Sequence, residues 1–458
     1  MRRPSVRPFR LAGSLVVVGC LFVLAACAAR TDGPVGDLVE LPQDAGAYHG
    51  LAPDAPLLGA DVQQGAYARF LAAHFAPWER SRPVTTVQDA FWGLDRFSGK
   101  VLYGENTLAR DPGWLARMRA ASRMDDYPSM SRRAVAVTDT GMRALPSSEP
   151  VFYQWGTPGE GYPFDYMQNS LVLAGTPLYA DHLSADGQWV LVESRYTYGW
   201  VPVRDVAWVD DAFAEAYRTG VYAAVTRDRE PVRDEDGRFL FDGEVGMVLP
   251  VLEAGTEGLV VAAPARDDRG NAVLHRARLG RDVAAIMPLA PTPANFARLA
   301  NAMLGRPYGW GGLYGDRDCS ALTMDLMAPF GIFLPRNSSQ QARAGVAIPL
   351  EGLTRAVKKQ IILDYATPFL TLVRKPGHIM LYIGRHDGRP VVLHALWGLR
   401  TGSKGAYGRK VVGGAVITTL EPGLERSDLA RPGGILLETV GSIVVLPGPG
   451  PAPSKPRP

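Results

Sequence analysis

Three patterns of hydrophobic and polar positions follow one another along the chain. Between residues 60 and 125 apolar side chains recur at helical spacing. From about residue 130 to residue 290 the apolar runs become short, and Gly, Pro, Asp or Ser bounds each of them. Such runs predict short strands, and they fall into two groups of similar length. We therefore expect a helical segment followed by two small β-barrels in series.

A third pattern begins at Thr292, a candidate N-cap, with Pro293 in the first helical position. The apolar stripe that follows ends at Gly305, and a second helix is predicted from Cys319 to Gly331. A short helical stretch over 338–344 precedes four strand-like segments, at 379–383, 391–396, 416–420 and 443–446. Helices followed by an antiparallel sheet predict an α+β domain.

The N-terminus has the order of an export signal, with four arginines before an apolar run over residues 11–26. The run ends in Leu24-Ala25-Ala26-Cys27, which resembles a bacterial lipobox, so Cys27 is the expected lipidation site. Acyl chains at Cys27 would anchor the protein to a membrane, whereas the alternative is an uncleaved anchor with an incidental cysteine. Ala28 stands where an inner-membrane retention Asp would stand, which favours the outer membrane, facing the periplasm.

Composition places the chain among globular, multidomain proteins. Its 458 residues exceed what one core accommodates, and the net charge is only +3. No basic run suggests nucleic acid, and we expect a monomer. The predicted division is a signal peptide at 1–27, a tether at 28–55, a helical segment at 56–128, barrels at 129–210 and 211–290, the α+β domain at 291–446 and a disordered tail at 447–458.

Cys319 is the candidate nucleophile. Of three cysteines, Cys20 leaves with the signal and Cys27 is lipidated, so no disulfide framework exists and one thiol remains. Cys319 follows the Gly-rich segment 308–312 and opens a helix, where backbone N–H groups and the helix dipole favour a thiolate of lowered pKa. The same N–H groups can stabilise an oxyanion. The alternative is a buried, inert cysteine.

His378 and His394 are the candidate base and its orienting partner, because both lie on adjacent strands of one predicted hairpin. Rings that face each other directly require an odd loop such as Gly384–Gly388, whereas a two-residue Asp-Gly turn puts them on opposite faces. We therefore predict the longer loop. Tyr308 adds a hydroxyl donor for an oxyanion. A zinc site of Cys319 and both histidines is a weaker alternative, since no paired ligand spacing is present; no metal or cofactor is expected.

These residues resemble the motifs of NlpC-type cell-wall peptidases, which are papain-like cysteine enzymes. The similarity covers about residues 292–440. The motifs that carry it are Tyr308-Gly309-Trp310-Gly311-Gly312, Asp318-Cys319-Ser320, Leu334-Pro335-Arg336-Asn337-Ser338, Gly377-His378-Ile379 and His394-Ala395. The resemblance implies hydrolysis of the bond between γ-D-glutamate and a diamino acid, typically meso-diaminopimelate, in peptidoglycan stem peptides or murein fragments.

The upstream part resembles a subgroup of this family. Pro163-Phe164-Asp165-Tyr166 and Gly199-Trp200-Val201 are similar to the first of two bacterial SH3-like barrels, and Phe75-Ala76-Pro77-Trp78 to a helical element before them. The resemblance implies a papain-like C-terminal domain behind a helical segment and two SH3-like barrels. It also implies a preference for stems with a free N-terminal L-Ala, because the first barrel closes one end of the cleft.

Substrate contacts are expected at Asp318 and Ser320, with Trp310 and Tyr166 as further candidates. The alternative role for Asp318 is a plain helix N-cap, and Arg336 is interpreted as a loop-to-helix anchor. The segment Val346–Lys375 has no counterpart in the motif series and is expected to cover part of the cleft. Two other functions stay open, a murein-binding lipoprotein scaffold without activity and a papain-like amidase or acyltransferase.

Overall fold

The computed structural model describes residues 33–157 and 159–447. The predicted signal peptide, the lipidation site Cys27 and residues 448–458 of the predicted tail lie outside the described residues. Within the described ranges, no helix is both long enough and apolar enough to cross a membrane.

Short helices make up the N-terminal part. They are α1 (Asp37–Glu40), α2 (Ala60–Phe75), α3 (Val87–Ala90), α4 (Trp92–Phe97) and α5 (Trp114–Ser122). Phe91, Leu94, Phe97 and Trp114 form a core that also includes Trp200 of the following domain. The helical segment is therefore packed onto the first barrel through a shared hydrophobic cluster.

Residues 33–55, which we call the N-terminal strap, contradict the predicted tether. Val35, Leu41 and Tyr48 are buried against the C-terminal domain. The Asp37 carboxylate accepts hydrogen bonds from the backbone N–H and the hydroxyl of Thr419, both at 2.7 Å. The Pro- and Gly-rich composition indicated a linker, because single apolar residues far apart give no periodic pattern. The strap gains its stability from partners almost 400 residues away in sequence.

Two β-domains follow, as predicted. The first is a seven-stranded antiparallel sheet in the order β3-β2-β6-β5-β4-β1-β7. Its strands are β1 (Arg132–Ala136), β2 (Thr140–Arg143), β3 (Gln168–Val172), β4 (Pro177–Leu183), β5 (Trp189–Glu193), β6 (Tyr198–Pro202) and β7 (Val206–Trp208). Helix α6 (Asp211–Tyr217), capped by Asp210, joins the two domains.

The second β-domain combines a five-stranded sheet, β13-β12-β11-β8-β14, with the hairpin β9-β10. The strands are β8 (Tyr222–Val225), β9 (Glu230–Arg233), β10 (Phe239–Gly243), β11 (Val248–Ala254), β12 (Gly258–Arg266), β13 (Ala272–Gly280) and β14 (Ala284–Ile286). Its core contains Val232, Phe241 and Val261.

The C-terminal domain is the predicted α+β unit. Helix α7 (Pro293–Met303) begins after the N-cap Thr292, whose hydroxyl accepts from the N–H of Asn295. Helices α8 (Cys319–Met327) and α9 (Ser338–Gln341) precede a sheet in the order β15-β20-β16-β17-β18-β19. The remaining elements are β15 (Val346–Pro349), α10 (Arg355–Tyr365), β16 (Thr371–Lys375), β17 (His378–His386), β18 (Arg389–Ser403), β19 (Ala406–Thr419), α11 (Leu436–Thr439) and β20 (Ser442–Val445).

The segment Val346–Lys375 is part of this sheet and does not cover the cleft as expected. It supplies β15, α10 and β16, and Ile362 of α10 packs with Val373 and Met380 on one face of the sheet. Leu372 and Ile379 lie in the other cluster, which includes Leu322 of α8. Phe369 and Leu372, two of the apolar residues that indicated a cover over the cleft, are core residues of the domain, whereas Tyr365 is exposed.

Candidate active site

Asp318 organises the start of helix α8. Its Oδ1 accepts hydrogen bonds from the N–H groups of Ser320 at 3.1 Å and Ala321 at 2.9 Å, which is the N-cap role considered from the sequence. Its Oδ2 accepts from the N–H of Gly311 at 3.1 Å, so the same carboxylate also holds the Gly-rich loop. Asp318 is thus engaged by the protein on both oxygens.

Arg336 is the principal partner of Asp318 and does more than anchor a loop. Its guanidinium binds Oδ1 at 3.0 Å and Oδ2 at 2.7 Å, a bidentate pair. It also donates to the hydroxyls of Ser320 and Ser170, each at 2.9 Å. Because Ser170 lies on β3, this buried arginine ties the first barrel to the cysteine helix. The sequence showed the Pro335-Arg336 motif but not this connection.

Two glycines allow the first barrel to approach the Gly-rich loop. Gly311 and Gly312 have φ values of 61° and 86°. A Cβ on Gly311 would lie 2.5 Å from the carbonyl oxygen of Gln168, and one on Gly312 would lie 2.4 Å from Cβ of Leu171. The Gln168 side chain donates to the carbonyl of Gly311 at 3.0 Å. Only glycine fits both the backbone conformation and the contact.

The Cys319 thiol lies at the first position of α8 and is 8% exposed. The backbone N–H groups of Ile379, the residue after His378, and of Ser320 act to lower the pKa of the thiol. Burial, together with the Asp318 charge, raises the pKa of the thiol to about 12. The lowered pKa expected from the helix N-terminus is therefore wrong, because burial of the thiol and then the negative charge of Asp318 outweigh the helix start.

The histidine hairpin closes with a two-residue turn, Asp387-Gly388, since His386 pairs with Arg389. The predicted Gly384–Gly388 loop is wrong. An irregularity between Tyr382 and Gly384 shifts the register by one residue, so that Leu381 pairs with Leu393. Continued in this register, His394 lies two residues away from direct opposition to His378, on the same face. The bulge thus places the two histidines on the same face of the sheet, whereas the tight turn without it would place them on opposite faces.

The two rings belong to a hydrogen-bonded chain with a defined direction. His378 Nε2 lies 2.9 Å from His394 Nδ1, and His394 Nε2 lies 3.0 Å from the hydroxyl of Thr418. That hydroxyl donates its one proton to the carbonyl of Thr419 at 2.7 Å. It must therefore accept from His394 Nε2–H, which leaves His394 Nδ1 as the acceptor for His378 Nε2–H. His378 thus keeps an unprotonated Nδ1.

Burial holds both rings neutral. It lowers the pKa of His378 well below the ordinary value for histidine, with a further contribution from His394, and lowers the pKa of His394 to about 3. Thr418 was missed from the sequence, because its strand position is known only once the register of β18 with β19 is fixed. That register places Thr418 opposite Val392, two residues from His394 along β18.

Aromatic side chains from two domains form a wall beside these groups. Tyr308 and Trp397 have ring centroids 5.9 Å apart, and Phe164 of the first barrel lies 5.1 Å from Trp310. Tyr166 lies 5.9 Å from Trp310. Burial raises the pKa of Tyr308 well above its usual range, with further contributions from Cys319 and Asp318, so Tyr308 keeps its proton. The structure thus brings the candidates Tyr308, Trp310 and Tyr166 together.

Glu160 is a site residue that the sequence reasoning missed. Its carboxylate accepts a hydrogen bond from the hydroxyl of Tyr166 at 2.8 Å. An irregular loop carries Glu160, and no motif in the sequence distinguishes it from other surface acids. In the described ranges, no group of three or more His, Cys, Asp or Glu side chains is arranged to hold a metal ion.

Comparison with known proteins extends over most of the chain. Residues 16–127 match the N-terminal stabilising domain of the NlpC/P60 family, and residues 305–398 match the NlpC/P60 family itself. Residues 150–202 match an SH3 domain of the SH3b1 type and residues 210–255 one of the SH3b2 type.

Two relatives illustrate the similarity. A γ-D-glutamyl-L-lysine dipeptidyl-peptidase of Bacillus cereus is 40% identical over 68 residues, which are 14% of this chain and 20% of that protein. The chain thus spans about one fifth of the length of this curated relative. The solved structure of an NlpC/P60 endopeptidase from Photobacterium damselae subsp. piscicida is 26% identical, covers 90% of this chain and 98% of its own, and superposes with a TM-score of 0.80.

The order of the four matched segments agrees with the observed helical segment, the two β-domains and the α+β domain. The chain therefore carries an NlpC/P60 N-terminal stabilising domain, two SH3 domains and a C-terminal NlpC/P60 domain, in that order.

Proposed function

We propose that the protein is a cysteine endopeptidase that cleaves the γ-D-glutamyl–meso-diaminopimelate bond of peptidoglycan stem peptides. One observation carries the proposal. The backbone N–H of Ile379, the residue after His378, acts on the thiol of Cys319, and the hydrogen-bonded chain from Thr418 leaves His378 with a free basic nitrogen. A thiol and a neutral imidazole in adjacent positions are the elements of nucleophilic catalysis.

In the first step Nδ1 of His378 takes the thiol proton as the sulfur of Cys319 attacks the γ-carbonyl carbon. Because burial disfavours both charged forms, proton transfer accompanies attack and does not precede it. The backbone N–H of Cys319 and the protonated hydroxyl of Tyr308 are the proposed donors to the oxyanion. Asp318 leaves the N–H of Cys319 for this purpose, since it caps the two following residues.

In the second step the tetrahedral intermediate collapses and His378 returns its proton, from Nδ1, to the departing amine of the diamino acid. The γ-glutamyl group remains on sulfur as a thioester. Water then attacks the thioester, with His378 again taking a proton, and the thiol of Cys319 is regenerated. His394 does not exchange protons in this scheme; it holds the tautomer of His378.

The first barrel supports a preference for stems that begin with a free L-Ala. Phe164 and Tyr166 stand against Trp310, a contact that supports closure of one end of the cleft by the barrel. The Glu160 carboxylate offers a negative charge to an ammonium group, and the ring of the neighbouring Tyr166 offers an aromatic face. Since the Arg336 guanidinium already neutralises Asp318, Glu160 is the better candidate for the amine, and Ser320 is assigned to the site's framework.

We further propose that the enzyme is exported and lipid-anchored through Cys27 at the outer membrane, facing the periplasm. The proposal rests on the lipobox-like sequence and on Ala28 after it. Metabolic labelling with a radioactive fatty acid, compared between the wild type and Cys27→Ser, tests it. Equal labelling of both proteins would show that Cys27 is not the acylated residue.

Incubation with L-Ala-γ-D-Glu-meso-diaminopimelate tests the catalytic proposal, with released diaminopimelate measured by chromatography. We expect the wild type to release it, Cys319→Ala to release none, and His386→Gln to match the wild type because His386 lies at the far end of β17, next to the turn. A stem with an acetylated N-terminus and the Glu160→Gln variant should both react more slowly. Turnover by Cys319→Ala, or an inactive wild type that still sediments with sacculi, would contradict an enzymatic role and favour a wall-binding scaffold.

A further inference from the structure

We use the name basic rim for three cationic side chains that have no acidic partner among the described residues, namely Lys375, Arg400 and Arg409. Arg400 on β18 and Arg409 on β19 lie directly opposite each other in register. Lys375 on β16 lies opposite His378 on β17. Within residues 33–157 and 159–447, no carboxylate lies within ion-pair distance of any of the three.

The basic rim adjoins the reacting groups. Burial lowers the pKa of Lys375, and the charges of Arg400 and Arg409 lower it further, while Cys319 acts in the opposite direction. Burial and Arg400 lower the pKa of Arg409, and Tyr308 opposes them. The three cations therefore repel one another. Lys375 also interacts electrostatically with Cys319, and Arg409 with Tyr308.

Arg409 is held in place by the fold. Its side chain crosses Gly398, where a Cβ would lie 3.0 Å from Cγ of Arg409. Its guanidinium reaches Gly159 of the first barrel, where a Cβ would lie 2.6 Å from Nη2. The Nε of Arg409 is buried and has no hydrogen-bond partner in the part of the chain that the structure describes. An unpaired buried N–H and like charges directly opposite across two strands both cost stability.

An incoming anion would relieve both costs. We propose that the basic rim binds a carboxylate of the stem peptide next to the scissile bond, an inference that rests on the proposed function. Two carboxylates are near that bond. One is the free α-carboxylate of the γ-linked D-glutamate, and the other is the side-chain carboxylate of meso-diaminopimelate, which lysine lacks.

Three peptides that end in D-alaninamide separate these sources. They are L-Ala-γ-D-Glu-meso-diaminopimelyl-D-alaninamide, its L-lysyl analogue, and its analogue with the glutamate α-carboxylate converted to an amide. We expect Arg409→Gln to raise KM for the first peptide by about tenfold or more, the scale of a charge-assisted hydrogen bond. The peptide that lacks the bound carboxylate should show no such increase, which identifies the source.

Lys410→Gln is the matched control, because Lys410 is the next residue and points to the opposite face of β19. It should leave all three KM values unchanged. Equal losses on all three peptides in Arg409→Gln would assign the arginine a packing role against Gly398 and would overturn the inference. Unchanged kinetics in both Arg409→Gln and Lys375→Gln would also overturn it.

A wild type that cleaves none of the peptides would remove the proposed function, and binding then tests the basic rim separately. Calorimetry with the Cys319→Ser protein should show that Arg409→Gln lowers the affinity for the first peptide by about tenfold. Equal affinity with and without Arg409, or no binding of any peptide, would overturn the inference.

Discussion

The direction of the histidine chain makes Thr418→Val the most informative substitution. Valine has the shape of threonine but cannot accept the hydrogen bond from His394 Nε2–H, which is now 3.0 Å from the hydroxyl. His394 then has two options. It can leave a buried N–H unpaired, or it can move its proton to Nδ1. In the second case His378 must accept a hydrogen bond at Nε2 and carry its own proton on Nδ1. Nδ1 then has no lone pair that can take the thiol proton of Cys319.

The cost of an unpaired buried N–H sets the size of the effect. That cost is about 1–3 kcal/mol, and it is the bias that now selects the productive tautomer. At 1.36 kcal/mol per factor of ten, kcat should fall by about 5-fold to 150-fold. KM should change little, because Thr418 is fully buried and touches no substrate. We expect the free energy of unfolding to fall by no more than the same 1–3 kcal/mol.

Steady-state kinetics on the diaminopimelyl stem, with chemical denaturation alongside, measures both quantities. Thr418→Ser keeps the hydroxyl and should retain most of kcat. Thr419→Val is the matched control, because the Thr419 hydroxyl is equally buried but bonds Asp37 at 2.7 Å and has no link to the rings. It should cost stability without affecting kcat. Nitrogen NMR of labelled histidine should show His378 protonated at Nε2 in the wild type and at Nδ1 in a growing fraction of Thr418→Val.

Three outcomes would refute this reasoning. Thr418→Val with wild-type kcat would show that the hydroxyl does not select the tautomer. Equal losses of kcat in Thr418→Val and Thr419→Val would show that general loosening of β19 is responsible. A wild-type His378 protonated at Nδ1 would reverse the direction assigned to the whole chain.

Three further predictions concern buried charge. Because burial raises the pKa of the Cys319 thiol to about 12, its alkylation by iodoacetamide, followed by peptide mapping, should still accelerate with pH above pH 9, and a plateau below pH 7 would contradict this. Arg336→Gln leaves Asp318 buried without its partner and should lower the free energy of unfolding by about 3–5 kcal/mol in denaturant titrations; a loss under about 1 kcal/mol would contradict the bidentate pair. Burial and Asp228 raise the pKa of Glu244 to about 9, so the folded state holds a proton that the unfolded state loses above its ordinary pKa, and wild-type stability falls as pH rises between these values. Glu244→Gln should therefore raise the midpoint of thermal unfolding more at pH 8 than at pH 5, whereas equal gains would contradict the raised pKa.

Periodic features were predicted from sequence, because they depend on local rules. Thr292 and Pro293 mark a helix start with chemistry that acts over one turn, and the helix is where the pattern indicates. The position of Cys319 at the start of α8 followed in the same way. The resemblance to the family then gave the order of domains, which the matched segments confirm.

The predictions that were wrong concern features that depend on contacts between residues far apart in the sequence. The N-terminal strap has few apolar residues, and its burial depends on a surface formed by β19. The pKa of Cys319 depends first on how deeply the thiol is buried and then on where the Asp318 charge lies, and the residues around a helix start give neither. The two histidines lie on the same face of the sheet, as predicted, but the cause is the bulge near Gly384 and not a longer loop. No residue type in the sequence indicates that bulge.

The N-terminal strap also sets an order of assembly. Asp37 accepts a hydrogen bond from Thr419, which is 382 positions later in the sequence. The surface that binds the strap can therefore form only after nearly the whole chain has been synthesised. Contacts of such separation close late and slow the final approach to the native state. A fragment that starts at residue 56 would lack Leu41, Ala45 and Tyr48 and would expose the apolar surface that they cover. Such a fragment should self-associate, and adding a peptide of residues 33–55 should return it to a monodisperse form.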